Sequence, residues 1–265
     1  MREESRWLWK REEEINAETQ RMLRNTEMPK PDYGIDAPGV IRNLFLVAAA
    51  CAAMCWILPA VTAGGIQFIL TPMWRNTAIG CAAGGALMLA YSKFMKFQHR
   101  DRMLAMVNWR GDERVLDVGT GAGLLLIGAA KRLTTGKATG IDVWSLVDLS
   151  GNARERTLRN AEIEGVTEKV EVLDGDATAM QFADGAFDVV VSNLVIHNIP
   201  SRGARDKACR EIARVLKRGG MAVISDFVNT GEYAKEFAKA GLEVEGRRWS
   251  WGTFPPLRVV VARKR

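Results

Sequence analysis

The stretch 114–123, reading R-V-L-D-V-G-T-G-A-G, constrains the fold of this chain more than any other. Val115, Leu116 and Val118 form a short apolar run of the kind found in buried parallel strands. Asp117 sits within the run, and Gly119, Gly121 and Gly123 follow it. A helical pattern then opens with Leu124, Leu125, Ile127 and Ala130. Glycine belongs where a backbone must turn sharply after a strand and approach a ligand with no Cβ in the way. The helix start behind it offers unpaired N–H groups and a positive dipole end to an anionic group. A dinucleotide fingerprint would space its glycines G-x-G-x-x-G. Here the third glycine comes one residue early, and Leu124 takes its place.

From residue 98 onward the pattern alternates between strands and helices, which predicts a parallel α/β sheet with helices on both faces. Strands are expected at 114–118, 138–142, 169–173, 187–192, 221–225, 242–247 and 257–262. Helices are expected at 202–217 and 232–240, with residues 103–109 closing a lead-in helix. Arg218, Gly219 and Gly220 look like a helix stop. Seven mostly parallel strands result, the last two separated by a loop rich in Trp and Pro. Polar residues stand at the carboxyl ends of the first four strands: Asp117, Asp142, Asp176 and Asn193. Ligands of open α/β sheets bind in the crevice at those ends.

The segments V-L-D-V-G-T-G-A-G, G-I-D and G-D-A, with the fourth and fifth strands, resemble the class I (Rossmann-like) S-adenosylmethionine-dependent methyltransferase family over about residues 100–265. The resemblance implies S-adenosyl-L-methionine as cofactor. It assigns Asp117, Gly119, Thr120, Gly121 and Gly123 to that cofactor, the glycines against its methionine moiety. Asp142 falls on the ribose, with Val143 and Trp144 beside it. Asp176 and Ala177 fall at the adenine, and Asn193 and Leu194 near the sulfonium end. Two departures stand out. The family's common L-K-P-G-G is L-K-R-G-G here, and the link 143–152 into the next helix is longer than usual.

His197, in S-N-L-V-I-H-N-I-P, lies just beyond the fourth strand. A histidine there can act as a base toward a thiol, hydroxyl or ammonium group. His197 is therefore the candidate catalytic residue, and His197, Asn198 and Trp251 are the candidate acceptor contacts. The competing reading is that His197 and Asn198 only hold the turn before Pro200. Trp249, Trp251 and Phe254 suit an acceptor roof, a membrane contact or core packing equally. His99, the other histidine, falls in the linker ahead of the domain, with no role that the sequence supports.

The first part of the chain has a different character. Residues 1–43 read as a charged helix, with Leu8, Ile15 and Met22 every seven residues beside Trp7 and Trp9, followed by a Pro/Gly linker. That narrow stripe suits a membrane surface, a partner helix or docking on its own protein, and it permits a homo-oligomer. Residues 44–97 read as a transmembrane helical hairpin, with spans at about 44–63 and 72–92. Gly80 and Gly84, facing Ala48, Ala49, Ala52 and Ala53, would let the two helices approach closely. Lysines and arginines flank both outer ends while only Arg75 is near the turn, which places the N-terminus and the 98–265 domain on the cytosolic side of an inner membrane.

The chain carries a formal charge of +6 over 265 residues, and its basic residues form no aromatic-interleaved patch that would indicate nucleic acid. Its four cysteines form no C-x-x-C pair, and no His/Cys/Asp cluster has metal-ligand spacing. The expected function is methyl transfer at a membrane to a small or lipophilic acceptor such as a lipid, a quinone-like molecule or a thiol. Methylation of a protein side chain and a non-catalytic S-adenosylmethionine-binding scaffold are the alternatives.

Overall fold

Seven strands of alternating inward and outward residues build the main sheet, and the alternation explains its two-sided core. The structure is a computed structural model that describes residues 29–265; the helix expected over 1–27 lies outside the described residues. Strand β3 (Arg114–Val118) pairs in parallel with β4 (Lys137–Asp142) on one side and with β6 (Phe187–Asn193) on the other. β5 (Val170–Asp174) extends the sheet beyond β4, and β7 (Leu216–Asp226) extends it beyond β6, both in parallel. β9 (Leu257–Lys264) runs antiparallel between β7 and β8 (Leu242–Ser250), giving the order β5-β4-β3-β6-β7-β9-β8. The chain builds outward from β3 to β5, then returns to the other side of β3 with β6. That reversal opens a crevice at the carboxyl ends of β3 and β6.

Along the strands, Val115, Val189, Val191, Val223 and Val259 face one core, and Leu116, Val190, Ile224 and Val260 face the other. The period of two is what a sheet covered on both faces requires. The first core is closed by helix α3 (Lys96–Leu104), α4 (Leu124–Ala130) and α5 (Arg154–Ile163) through Met103, Leu104, Leu126 and Ala161. The second is closed by α6 (Arg202–Val215) and α7 (Thr230–Lys239) through Ile212, Val215, Tyr233 and Phe237.

Two boundaries differ from the expectation. Arg218, Gly219 and Gly220 do not end a helix, because α6 stops at Val215 and β7 already runs through them. The β6–β7 pairing absorbs these residues with a register shift between Phe187 and Val189. The apolar stretch 44–63 is helical only as far as Ile57. Helix α1 (Pro38–Ile57) starts earlier than expected, and Pro59 follows its end. The strands β1 (Ala60–Ala63) and β2 (Ile66–Ile69) then form an antiparallel hairpin about Gly64 and Gly65. α2 (Thr71–Ala90) packs back on α1. The small-residue contact is also displaced. A Cβ on Gly85 would press on the Phe45 ring at 3.1 Å, whereas nothing approaches Gly80. Ile41, Ala48 and Cys51, rather than Ala49, Ala52 and Ala53, form the buried stripe of α1.

α2 does not stop at Ala90. It passes through a π-helical turn (Tyr91–Met95) directly into α3, so one rod runs from the apolar pair into the α/β domain. Tyr91, Ser92, Lys96, His99, Met103 and Leu104 are its buried residues on that course. Lys96 is enclosed and donates from Nζ to the carbonyls of Tyr33 (2.7 Å) and Gly34 (2.8 Å) and to Asp36 (3.3 Å). Burial pulls its pKa down, while the Asp36 carboxylate opposes that shift. The segment 32–37 is thereby clamped between the rod and the 148–160 region, where Ala37 donates to Asp148 and Ser150 to Ile35. Replacing Lys96 by Met leaves those acceptors buried without a donor, so Lys96→Met should lower stability by about 1–3 kcal/mol. Denaturant titration measures the loss, and amide exchange should quicken in 33–37; unchanged exchange there would show that Lys96 does not hold the segment.

Candidate active site

The loop after β3 is held from below by a buried carboxylate. Asp117 accepts from Thr120 Oγ1 (2.9 Å) and from the Leu126 amide (2.9 Å) in the first turn of α4. It thereby fixes the strand end, the glycine loop and the helix start to one another. Burial pushes its pKa up to about 7, against the lowering effect of these two hydrogen bonds. Gly119 and Gly121 both adopt positive φ, at 72° and 53°. A Cβ on Gly119 would collide with Val195 across the crevice, and one on Gly121 would lie 3.0 Å from Leu149. Only glycine meets both the conformation and the close approach at these positions.

Asp142, at the end of β4, is buried and faces this loop. Its Oδ2 accepts from the Gly121 amide (2.8 Å), and its Oδ1 accepts from the Trp144 amide (2.7 Å) and from Asn152 Nδ2 (3.3 Å). Trp144 takes a left-handed φ of 59° and donates from Nε1 to Asp174 at the tip of β5. Val143 beside it is exposed. Asn152 Oδ1 is buried without a hydrogen-bond partner among the described residues. It is a vacant acceptor 3.9 Å from where a Gly121 Cβ would stand, and nothing in the sequence singled it out. Asp176 is exposed and accepts from the Thr178 amide, which makes it a turn former in this structure, with Ala177 packed on the second core.

Across the crevice, β6 ends at Asn193, and Leu194 follows with φ 59°. The turn after it carries His197, whose Nδ1 lies 2.9 Å from Oδ1 of Asp226 at the tip of β7. The His197 amide donates to Oδ2 of the same carboxylate, which also accepts from the Tyr233 hydroxyl (3.2 Å). Asp226 is fully buried, and the Phe227 ring packs edge-on against His197 at 4.7 Å. Nδ1 nonetheless makes no hydrogen bond of acceptable geometry among the described residues, so the carboxylate faces it as a nearby charge. Asn198 is exposed and donates weakly to the Leu194 carbonyl (3.5 Å).

His99 is not in a linker. It is buried in α3, with Nδ1 at 2.8 Å from Ser250 Oγ and Nε2 at 3.1 Å from Asn193 Oδ1 and 2.8 Å from Ser225 Oγ. Burial lowers its pKa to about 4 despite the hydrogen bond to Asn193, so the ring is neutral at pH 7. Trp251 is 81% exposed at the β8–β9 turn, so it does not belong to the core, and Arg258 stacks on the half-exposed Trp249. Asp226 and His99 are the partners that sequence reasoning missed. The signals were a carboxylate at the end of the fifth strand and a polar residue on the i, i+3, i+7 face shared with Lys96 and Met103.

The profile of a family described as "Methyltransferase domain" matches residues 116–224. The chain is 29% identical over 170 residues to the ubiquinone/menaquinone biosynthesis C-methyltransferase UbiE of Dinoroseobacter shibae, covering 63% of this chain and 62% of that protein. The chain spans half or less of the length of other curated relatives that it matches, such as the same enzyme of Bdellovibrio bacteriovorus, at 32% identity over 48% of this chain and 50% of that protein. In three dimensions the chain is similar to a SAM-dependent methyltransferase from Aquifex aeolicus, with TM-score 0.51, 21% identity, 62% of this chain and 88% of that one. It is also similar to the [4+2]-cyclase SpnF, with TM-score 0.54, 16% identity, 87% of this chain and 98% of that one. Those two likenesses show the fold alone, since one fold serves unrelated chemistries. The local chemistry suits the nucleoside cofactor: a glycine cradle that any Cβ would fill, a buried carboxylate beside it and the vacant Asn152 oxygen. Residues 116–224 thus match a methyltransferase domain, and the glycine cradle with Asp142 beside it fits S-adenosyl-L-methionine as the cofactor.

Proposed function

We propose that the chain is a membrane-anchored methyltransferase acting on a lipophilic acceptor, with quinone-like molecules the leading class. The observation that carries this reading is the single rod from α2 through the π-turn to α3. It brings a pair of apolar helices and the His99–Asn193 corner of the site into one element. α1 is 20 residues long, which corresponds to about 30 Å, the thickness of a hydrocarbon core. The most apolar windows of the two helices are only 11% and 17% buried within the protein, unlike the core helices of a soluble domain. Trp56, Ile57, Ile69 and Ile79 stand exposed along the pair. The charge asymmetry around the hairpin puts both chain ends on the cytosolic side. The ubiquinone/menaquinone biosynthesis methylation for which the Dinoroseobacter shibae relative is named supports the quinone class for the acceptor.

S-adenosyl-L-methionine supplies, when bound, a methyl group made electrophilic by its sulfonium charge. The chain's part is alignment and proton removal. Asp142, the glycine loop and Asn152 would hold the nucleoside, with Trp144 at its edge. His197 takes a proton from the acceptor through Nε2. The Asp226 carboxylate beside Nδ1 would stabilise the imidazolium that results. A hydroquinone that loses a hydroxyl proton in this way has a more nucleophilic ring carbon. Trp251, exposed near Ser250, would meet the acceptor where it leaves the bilayer.

Methyl-labelled cofactor added to membranes containing the chain should put label into the lipid-extractable fraction; label found only in protein, or nowhere, defeats the proposal. His197→Ala should reduce turnover about 10²- to 10⁴-fold while the cofactor dissociation constant from calorimetry stays near the wild-type value. Full turnover in that variant removes His197 from the mechanism. Asp142→Ala frees the Gly121 and Trp144 amides and should weaken cofactor binding about tenfold or more, roughly 1.4 kcal/mol; unaltered affinity would mean that the nucleoside sits elsewhere. The chain should remain in the membrane pellet through alkaline carbonate and leave it in detergent, and release by carbonate would exclude a spanning hairpin.

A further inference from the structure

The long link 143–152 between β4 and α5 carries apolar side chains that stay exposed. Val143, Leu146 and Val147 are 70%, 67% and 80% exposed. A single exposed valine or leucine is ordinary on a protein surface, but three so close together make a local apolar face. The link is nevertheless well anchored. Near its two ends the Trp144 amide and Asn152 Nδ2 both donate to Asp142. Leu149 turns inward, packs on the first core and lies against Gly34 and Gly121. Leu146 and Val147 are thus held outward by a loop fixed on both sides of them.

The height at which this link sits identifies what covers it. Asp36 and Leu149 form an antiparallel bridge, the Ala37 amide donates to the Asp148 carbonyl (2.8 Å), and the Ser150 amide donates to that of Ile35 (3.0 Å). The Asp36 amide in turn donates to Ser92 Oγ (3.0 Å) in the π-turn. Link, segment 35–37 and rod are thereby tied together at one level. α1 begins at Pro38, two residues beyond Asp36, and α2 ends at Ala90, two residues before Ser92. Both apolar helices therefore stop where the link is tied, and a bilayer that they cross ends there too. Cations mark the same height. Arg42, one turn into α1, is exposed and bonds only its neighbour Asn43 among the described residues. Lys93 in the π-turn is exposed as well, beside Phe94 at 69% exposure. Basic and aromatic side chains at helix ends suit the headgroup layer.

We propose that the link 143–152 is a membrane-contacting loop which, on the membrane-anchored reading above, seats Leu146 and Val147 in the headgroup layer of the bilayer crossed by α1 and α2. A lipid surface is the occupant because the apolar face is tied by backbone hydrogen bonds to the ends of two apolar helices. The flanking Arg42 and Lys93 are what anionic headgroups attract. The consequence reaches the cofactor site. Asp142 is held from the two ends of the link, by Trp144 and by Asn152. Lipid contact at Leu146 and Val147 limits the conformations of the link between those ends and so pre-organises Asp142 for the nucleoside.

The experiment uses the full chain in vesicles of radiolabelled phosphatidylcholine and phosphatidylglycerol, with a benzophenone amino acid in place of Val147 or, as a control, of the exposed Glu168 ahead of β5. Irradiation should cross-link lipid to the probe at 147 and not to the one at 168. Equal labelling at the two positions, in protein that carbonate does not release, overturns the loop contact and leaves the anchor standing. Release by carbonate defeats the underlying reading first. Leu146→Asp with Val147→Asp should keep the melting temperature and weaken cofactor binding on the vesicles about five- to tenfold. Leu146→Trp with Val147→Trp should retain the wild-type affinity, because indole rings are at home among headgroups. A tryptophan pair that binds cofactor as poorly as the aspartate pair shows packing within the protein instead of lipid contact and overturns the assignment. Unaltered affinity in the aspartate pair overturns the coupling to Asp142.

Discussion

The hydrogen bonds of the buried Asp117 carboxylate are the constraint on which the site depends. A carboxylate removed from water is tolerated only where donors replace its hydration. Thr120 and the Leu126 amide provide them from the loop and from the helix start. Three consecutive elements are thereby fixed in one geometry, and the glycines between them can hold left-handed backbone without fraying. Asp142 repeats the device one strand over, tying the Gly121 amide to the end of β4. The crevice floor is thus a network of carboxylates and backbone amides rather than apolar packing. That arrangement leaves polar groups at the surface where a polar ligand must lie.

Most of the sheet was legible in the sequence because burial on both faces imposes a simple pattern. Val189, Val190 and Val191 alternate between two cores, and each neighbouring strand follows the same rule. Element ends were read less well where local propensity and long-range pairing disagree. Gly219 and Gly220 look like a helix terminator, yet strand pairing with β6 recruits them into β7. Residues 58–63 are as apolar as the helix before them, so hydropathy carries no sign of the change to β1. Pro59 and the turn at Gly64 and Gly65 decide it.

The site divides along the same line. Residues presented by short-range motifs could be singled out as candidates: the glycine loop, Asp142, Asn193 and His197. Residues that matter through distant partners were not. His99 lies in K-F-Q-H-R-D-R, a stretch whose charge reads as solvated surface, and its environment is set by Asn193, Ser225 and Ser250, the nearest of them 94 residues away. Asp226 ends a strand that the sequence located, but its role depends on His197 being folded back over it. Both are buried polar groups whose partners lie far along the chain, and periodicity is blind to such pairings.

The rod from α2 to α3 also ties the apolar helix pair to the α/β domain, so any tilt or shift at one end is transmitted to side chains at the other. Lys96 opens α3 and holds the 32–37 segment against the rod by three hydrogen bonds, two of them to backbone carbonyls. Carbonyl acceptors cannot be titrated away, so the clamp does not depend on the charge of Asp36 alone. Opening it requires a competing donor or a displacement of the rod itself.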